Sequence, residues 1–247
     1  LVAFSGWVWA QGSYPGNAVR INGQAISNER FHAFYVEYRN SKGVAVGARG
    51  DQLELMKRLR KEAMDLMIEQ ELVRQAAQAA LRDGAVVAIK GVGGWHLACR
   101  ADDDATVARL RARKHRTMKP FAVMAADIAT TESFANLASA ERALLKSPQR
   151  PIVLVEESGA SDLVRGIAPG NSRVGVMLPY SPLHHLLLNG FAAPLVATSA
   201  NISGEPVLTA NEDAGQRLRQ YVVEHHLHTR GPDTQGGLAD GGRHGFQ

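Results

Sequence analysis

A single cysteine, Cys99, stands in 247 residues. One thiol excludes an intrachain disulfide and any cysteine-based zinc site. Aromatic residues make up only 6% of the chain. No apolar run reaches the roughly 20 residues that a membrane-spanning helix needs, so no membrane span is expected. Neither sign of charge dominates, since 28 Lys and Arg stand against 24 Asp and Glu, a formal net charge of +4. This excess suits anionic ligands such as nucleotides. The basic run lacks the interleaved aromatics on which unpaired bases stack. Hydrophobic content is 45%, enough to build a core rather than a disordered chain, and the length allows one large or two small domains.

The first stretch, residues 1–16, opens with LVAFSGWVWA. It is short and apolar, ends in a small residue, and resembles the end of a secretory signal peptide. Val19 to Ala25 reads VRINGQA, with Asn22-Gly23 as a turn signal between short extended stretches. Ser27 is placed to cap a helix on which Phe31, Phe34, Tyr35 and Tyr38 fall on one face. A longer helix is expected from about Gln52 to Arg82, with Leu55, Leu59, Ala63, Leu66 and Leu72 along its apolar side and Gly84 as its stop. VRINGQAISNERFHAFYVEYR and LMKRLRKEAMDLMIEQELVRQAA, in this order, resemble the start of SurA-like periplasmic chaperones and parvulin-type prolyl isomerases. That resemblance covers about residues 17–77. It implies a segment that binds unfolded polypeptide in the periplasm.

At Ala85 the texture changes. Apolar runs at Ala85–Lys90, Phe121–Met124, Ile152–Val155, Val174–Leu178 and Leu195–Thr198 read as buried strands. Helices with start signals lie between them. Asp102 to Asp104 can cap one from about Ala105 to Lys114, Ser181-Pro182 opens another, and Thr209 with Glu212 forms a capping box for a third. Strands alternating with helices imply an α/β domain with a twisted mixed sheet, preceded by a mainly helical segment. Gly91-Val92-Gly93-Gly94 reads as a flexible loop where backbone can approach a ligand closely. After about Leu227 the chain is rich in Gly and polar residues and reads as a disordered tail. The expected organisation is thus 1–16, a signal-like remnant; 17–78, a helical segment; 79–228, an α/β domain; and 229–247, a tail.

Two triplets draw the chemistry together. Lys114-His115-Arg116 offers two fixed cations for a polyphosphate, with Arg109 and Arg113 expected on the same face as Arg116. Ser199-Ala200-Asn201 adds a hydroxyl and an amide that orient a ligand without adding charge. They resemble the KxR and SxN signatures of the YrdC family, which makes acyl-adenylates from ATP. GxGGxHLAC, RxRKxR and KPFAVM, then RPIVL, VGVMLPY, SPLHHLL and TSANISGEP, resemble in order the YrdC-like domain of HypF, the carbamoyltransferase of hydrogenase maturation.

The resemblance covers about residues 80–218. It implies ATP and Mg²⁺ as cofactors, a carbamoyl donor, a carbamoyl-acceptor protein, a cytoplasmic setting and, for some relatives, binding of double-stranded RNA. By the same resemblance, Lys114 and Arg116 are catalytic and hold the triphosphate. Ser199 and Asn201 contact nucleotide and acyl group, and Lys90 and His96 face one substrate loop. His184 and His185 flank leucines, so one of them is expected to be buried and hydrogen-bonded, with no metal. The acylphosphatase part, the Cys-rich zinc motifs and the carbamoyl-transfer domain of full HypF proteins find no counterpart in these residues. The alternative within the family is a threonylcarbamoyl-AMP synthase. Those proteins usually carry a Thr-Asp-Thr-x-Tyr-Gly-Leu loop where this chain has Lys90 to Leu97, and an Arg where it has Met177. Ala200 is the residue more common in the synthases.

Overall fold

The alternation of apolar runs with capped helices becomes, in the computed structural model, a seven-stranded mixed sheet preceded by a two-stranded ribbon and two helices. The structure describes residues 17–44, 51–158, 163, 165–201, 205–218 and 221–222. The expected signal-like stretch 1–16 and the tail 229–247 lie outside the described residues.

Asn22 and Gly23 both adopt positive φ, 47° and 83°. This joins β1 (Asn17–Ile21) to β2 (Gln24–Ser27) as a tight antiparallel hairpin whose turn twists with its strands. The Ser27 side chain accepts from Arg30 N at 3.1 Å and starts α1 (Asn28–Ser41). The longer helix, α2, runs Asp51–Arg82, close to its expected span. Val19, Ile21, Ile26, Phe31, Tyr35, Leu59, Ala63 and Met67 form a core of their own between ribbon and helices. Met67, rather than the expected Leu66, takes the core position.

The sheet order is β3-β4-β9-β5-β8-β7-β6, with only β5 and β8 parallel. Its strands are β3 (Val87–Gly91), β4 (Gly94–Arg100), β5 (Ala122–Met124), β6 (Ala135–Asn136), β7 (Val153–Glu157), β8 (Arg173–Met177) and β9 (Leu195–Ser199). The helices are α3 (Asp104–Arg113), α4 (Ile128–Glu132), α5 (Ser139–Lys146), α6 (Pro182–Leu188) and α7 (Asn211–Arg217). Alternate strand residues feed two cores. Leu97, Cys99, Val123 and Val196 pack with Val107, Leu110, Leu145 and Leu218 from α3, α5 and the end of α7. Ala98, Met124, Leu195 and Ala197 pack with Ala77, Ala80 and Leu81 of α2 and Leu187 and Leu188 of α6. Deep burial pushes the Cys99 thiol up to about 12, which makes it a core hydrophobe rather than a nucleophile.

Three expectations change. The run Trp95 to Cys99 is a strand, β4, because its side chains are shared between the two faces of the sheet; Gly91 to Gly94 is therefore a tight hairpin and not an open loop. The capping box at Thr209 does not form, since α7 starts at Asn211 behind Ala210, which has no side-chain acceptor. The boundary at 78/79 falls inside α2. The last turns of that helix belong to the sheet's second core, and the buried Gln78 side chain donates to Leu187 O (2.7 Å) and Asn189 O (3.0 Å) at the end of α6.

Candidate functional site

Asp103 caps α3 by accepting from Thr106 N at 3.0 Å. The helix ends at Lys114 in a turn of defined geometry. His115 takes the left-handed conformation, φ 50°. His115 N donates to Ala112 O and Arg116 N to Arg111 O, both at 3.1 Å. This is the paired closure of a Schellman turn, with a histidine where glycine is usual. Arg111 fastens the turn: its guanidinium reaches Arg116 O (2.8 Å) and Lys119 O (3.0 Å) on one side and Gly166 O (2.6 Å) on the other.

The turn brings the two triplets together. Lys114 Nζ donates to Ser199 O at 2.6 Å and Asn201 O at 3.0 Å. Arg116 Nη1 donates to Thr198 Oγ1 at 3.2 Å. The Ser199 hydroxyl donates to Asn201 Oδ1 at 2.7 Å, and Asn201 Nδ2 donates to Glu205 O at 2.6 Å. Lys114 is 3% exposed. Among the described residues no carboxylate pairs with Lys114 or Arg116. Burial, then the neighbouring Arg116 and Lys119 charges, lower Lys114 to about 8. Burial also lowers Arg116. Two cations thus converge on a strand end whose own contribution is carbonyls, a hydroxyl and an amide.

The other expected cations do not join them. Arg109 bonds to Gly84 O, and Arg113 Nη1 to Tyr221 O at 2.9 Å, because the left-handed break at His115 takes Arg116 off the helix face they occupy. Lys90 and His96 also part company. Ile89, not Lys90, stands opposite His96 in the β3–β4 register, so the two side chains leave opposite faces of the sheet. Lys90 is exposed and donates to Asn211 Oδ1 at 2.6 Å.

His96 pairs across the ladder with Ser199 and shares its face. Its Nε2 lies 3.3 Å from the Tyr180 hydroxyl, and its ring meets His184 edge-on at a centroid distance of 6.0 Å. Tyr180 and His184 stack edge-on at 4.6 Å. A Cβ on Gly91 would fall 2.9 Å from both the His96 ring and the Tyr180 hydroxyl, so glycine is what admits this cluster. Burial lowers His96; burial, then His96 and His185, lower His184 to about 4; burial raises Tyr180. All three rings are neutral at neutral pH. His184 is buried as expected, but its Nδ1 has no hydrogen-bond partner among the described residues, and neither has His96 Nδ1. Sequence reading passed over Tyr180, Thr198 and Arg111; the signal for Thr198 was its place one residue before Ser199 on a strand.

The family model described as "Telomere recombination", built on Sua5, YciO and YrdC, matches residues 79–236. The chain belongs to this family. It is similar to the carbamoyltransferase HypF of Rhizobium leguminosarum bv. viciae, 52% identical over 157 residues, which is 60% of this chain and 21% of that protein. The threonylcarbamoyl-AMP synthase of Chromohalobacter salexigens is more distant, 38% identical over 152 residues, 60% of this chain and 80% of that protein. Among solved structures, a full-length HypF in a phosphate- and nucleotide-bound form superposes with a TM-score of 0.58 at 45% identity, over 61% of this chain and 20% of that one. The chain therefore spans about a fifth of the length of the HypF proteins it matches. The seven-stranded mixed sheet is the fold of this family. None of these relatives is a chaperone or prolyl isomerase, and the family model begins only at residue 79.

Among the described residues no group of three His, Cys, Asp or Glu converges to hold a metal. The Lys114–Asn201 cluster offers neutral oxygens and two cations. That donor set does not fit a protein-bound Mg²⁺, and no step below is routed through one.

Proposed function

We propose that this domain binds ATP and forms carbamoyl-adenylate in the manner of a HypF-type enzyme. The observation that carries the reading is Lys114, a buried ammonium whose contacts are carbonyl and amide oxygens, with Arg116 beside it and, among the described residues, no carboxylate to neutralise either. Two uncompensated cations at a strand end favour a polyanion. Lys114 and Arg116 are assigned to the triphosphate, and Ser199 and Asn201 to nucleotide and acyl group. Lys90, held outside the cluster by Asn211, is at most a peripheral nucleotide contact. His96 is assigned to the acyl side.

The reaction is attack of a carbamate oxygen on the α-phosphorus of ATP. A new oxygen–phosphorus bond forms, the bond to the β-phosphate bridge breaks, and carbamoyl-adenylate and pyrophosphate leave with no proton to place. Charge develops on the pyrophosphate, so preorganised cations near it lower the barrier without moving. The ATP requirement favours a cytoplasmic setting. Neither the fold nor the relatives add support to chaperone activity, double-stranded RNA binding or a periplasmic location.

Pyrophosphate release from ATP should depend on carbamate and not on bicarbonate plus threonine. Turnover that requires threonine would replace this reading with the threonylcarbamoyl-AMP synthase alternative, which the relative from Chromohalobacter keeps in view.

A further inference from the structure

The family signature uses the cationic end of the site. It leaves a second cluster without a role: His96 on β4, Tyr180 in the β8–α6 connection and His184 on α6. We propose that these three side chains form a neutral acyl subsite beside Ser199, selecting a small uncharged carbamoyl group over one that carries an amino-acid carboxylate. The proposal rests on the carbamoyl-adenylate reading above.

Four observations support it. The β4–β9 register sets His96 directly opposite Ser199 on one face, at the residue whose carbonyl accepts from Lys114, while Arg116 reaches the Thr198 side chain, which alternation turns to the other face. The cluster has hydrogen-bonding capacity left over, because Nδ1 of both His96 and His184 is unpartnered among the described residues while His184 is only 1% exposed. Buried polar atoms are seldom left unpaired, so a ligand or an ordered water completes them. Gly91 removes the one Cβ that would displace His96 and Tyr180. Finally, the sheet's second core, against which Tyr180 and Leu183 pack, contains Met177, and Met177 has no charge to offer a carboxylate. A carbamoyl NH₂ donates two hydrogens and its carbonyl accepts one. Neutral imidazoles and a phenol can meet both needs, whereas a carboxylate brought there would be buried without a cation.

The test is equilibrium binding of three stable adenosine compounds: 5′-O-sulfamoyladenosine, its N-carbamoyl derivative, and its threonylcarbamoyl derivative. The protein should bind the carbamoyl compound at least about tenfold more tightly than the parent, and the threonyl compound no more tightly than the parent. His184→Leu and His96→Leu should erase the carbamoyl gain while leaving parent affinity within about twofold. His184→Asn, which keeps a polar atom near the Nδ1 position, should restore most of it. A carbamoyl gain that survives in both Leu variants overturns the subsite and leaves the carbamoyl-adenylate reading standing. A protein that binds neither parent nor derivative overturns both. A preference for the threonyl compound overturns the carbamoyl selection itself.

Discussion

Lys114 is the residue on which the nucleotide reading can be broken most cleanly. Burial, then the neighbouring Arg116 and Lys119 charges, hold its folded-state value near 8 rather than 10.5. Between those values the unfolded chain holds a proton that the folded chain has released. Stability therefore rises with pH across that window, and the charged form costs about 3 kcal/mol at pH 7. Replacing Lys114 with Met removes the titration, so its stability relative to wild type should fall by about 2 kcal/mol between pH 7.5 and 9.5. ATP should reverse the penalty. A polyphosphate beside Nζ favours the ammonium, so binding at pH 8 should take up about half a proton. Titration calorimetry in buffers of different ionisation enthalpy reads that uptake directly. In Lys114→Met the uptake should vanish and ATP affinity fall by about 1.5–3 kcal/mol, roughly 10- to 150-fold. Uptake that persists in the variant, or an affinity within a factor of two of wild type, would refute the placement of the triphosphate against this lysine.

Two further predictions test the scaffold. Gln78→Leu removes the donors to Leu187 O and Asn189 O and should lower stability by about 1–3 kcal/mol in denaturant unfolding; no change would mean that the end of α2 is not held to α6. His115→Gly relieves a left-handed non-glycine residue and should raise stability by up to about 1 kcal/mol with ATP affinity unchanged; a loss of affinity would show that the imidazole itself touches the nucleotide.

Five of the seven sheet strands and three of the five helices between Val87 and Leu218 were legible to within a few residues, because apolar runs and capping residues are local signals; β4, β6, α4 and α5 were not named. The two triplets were legible as chemistry. Their meeting was not, since it depends on the antiparallel return of β9 beside β4 and on a left-handed histidine that no sequence rule singles out. Lys90 was misplaced for a simpler reason: WHLACR was not assigned to a strand, and without β4 the period that separates Lys90 from His96 could not be applied. The boundary near residue 78 was drawn from a change in texture. It missed that Ala77, Ala80 and Leu81 serve the second core of the sheet, so a helix that starts in one core ends in another.

The spacing of Lys114 and Arg116 carries its own physical argument. Residues two apart on an α-helix diverge by about 200° around its axis, so the same triplet one turn earlier would aim its cations in opposite directions. Ending α3 at Lys114 and turning left-handed at His115 removes that divergence, and both side chains then reach positions 198–201. Arg111 is consumed in holding the turn: its donors go to carbonyls at 116, 119 and 166. A charge so committed cannot follow a phosphate, whereas Arg116, with a single hydroxyl as its hydrogen-bond partner among the described residues, can. The cation run from Arg109 to Lys119 is thus divided by backbone geometry rather than by residue type. Some of its charges hold the turn, and Lys114 and Arg116 face the strand end, which is why composition alone could mark the run as basic without saying which two of its members face a ligand.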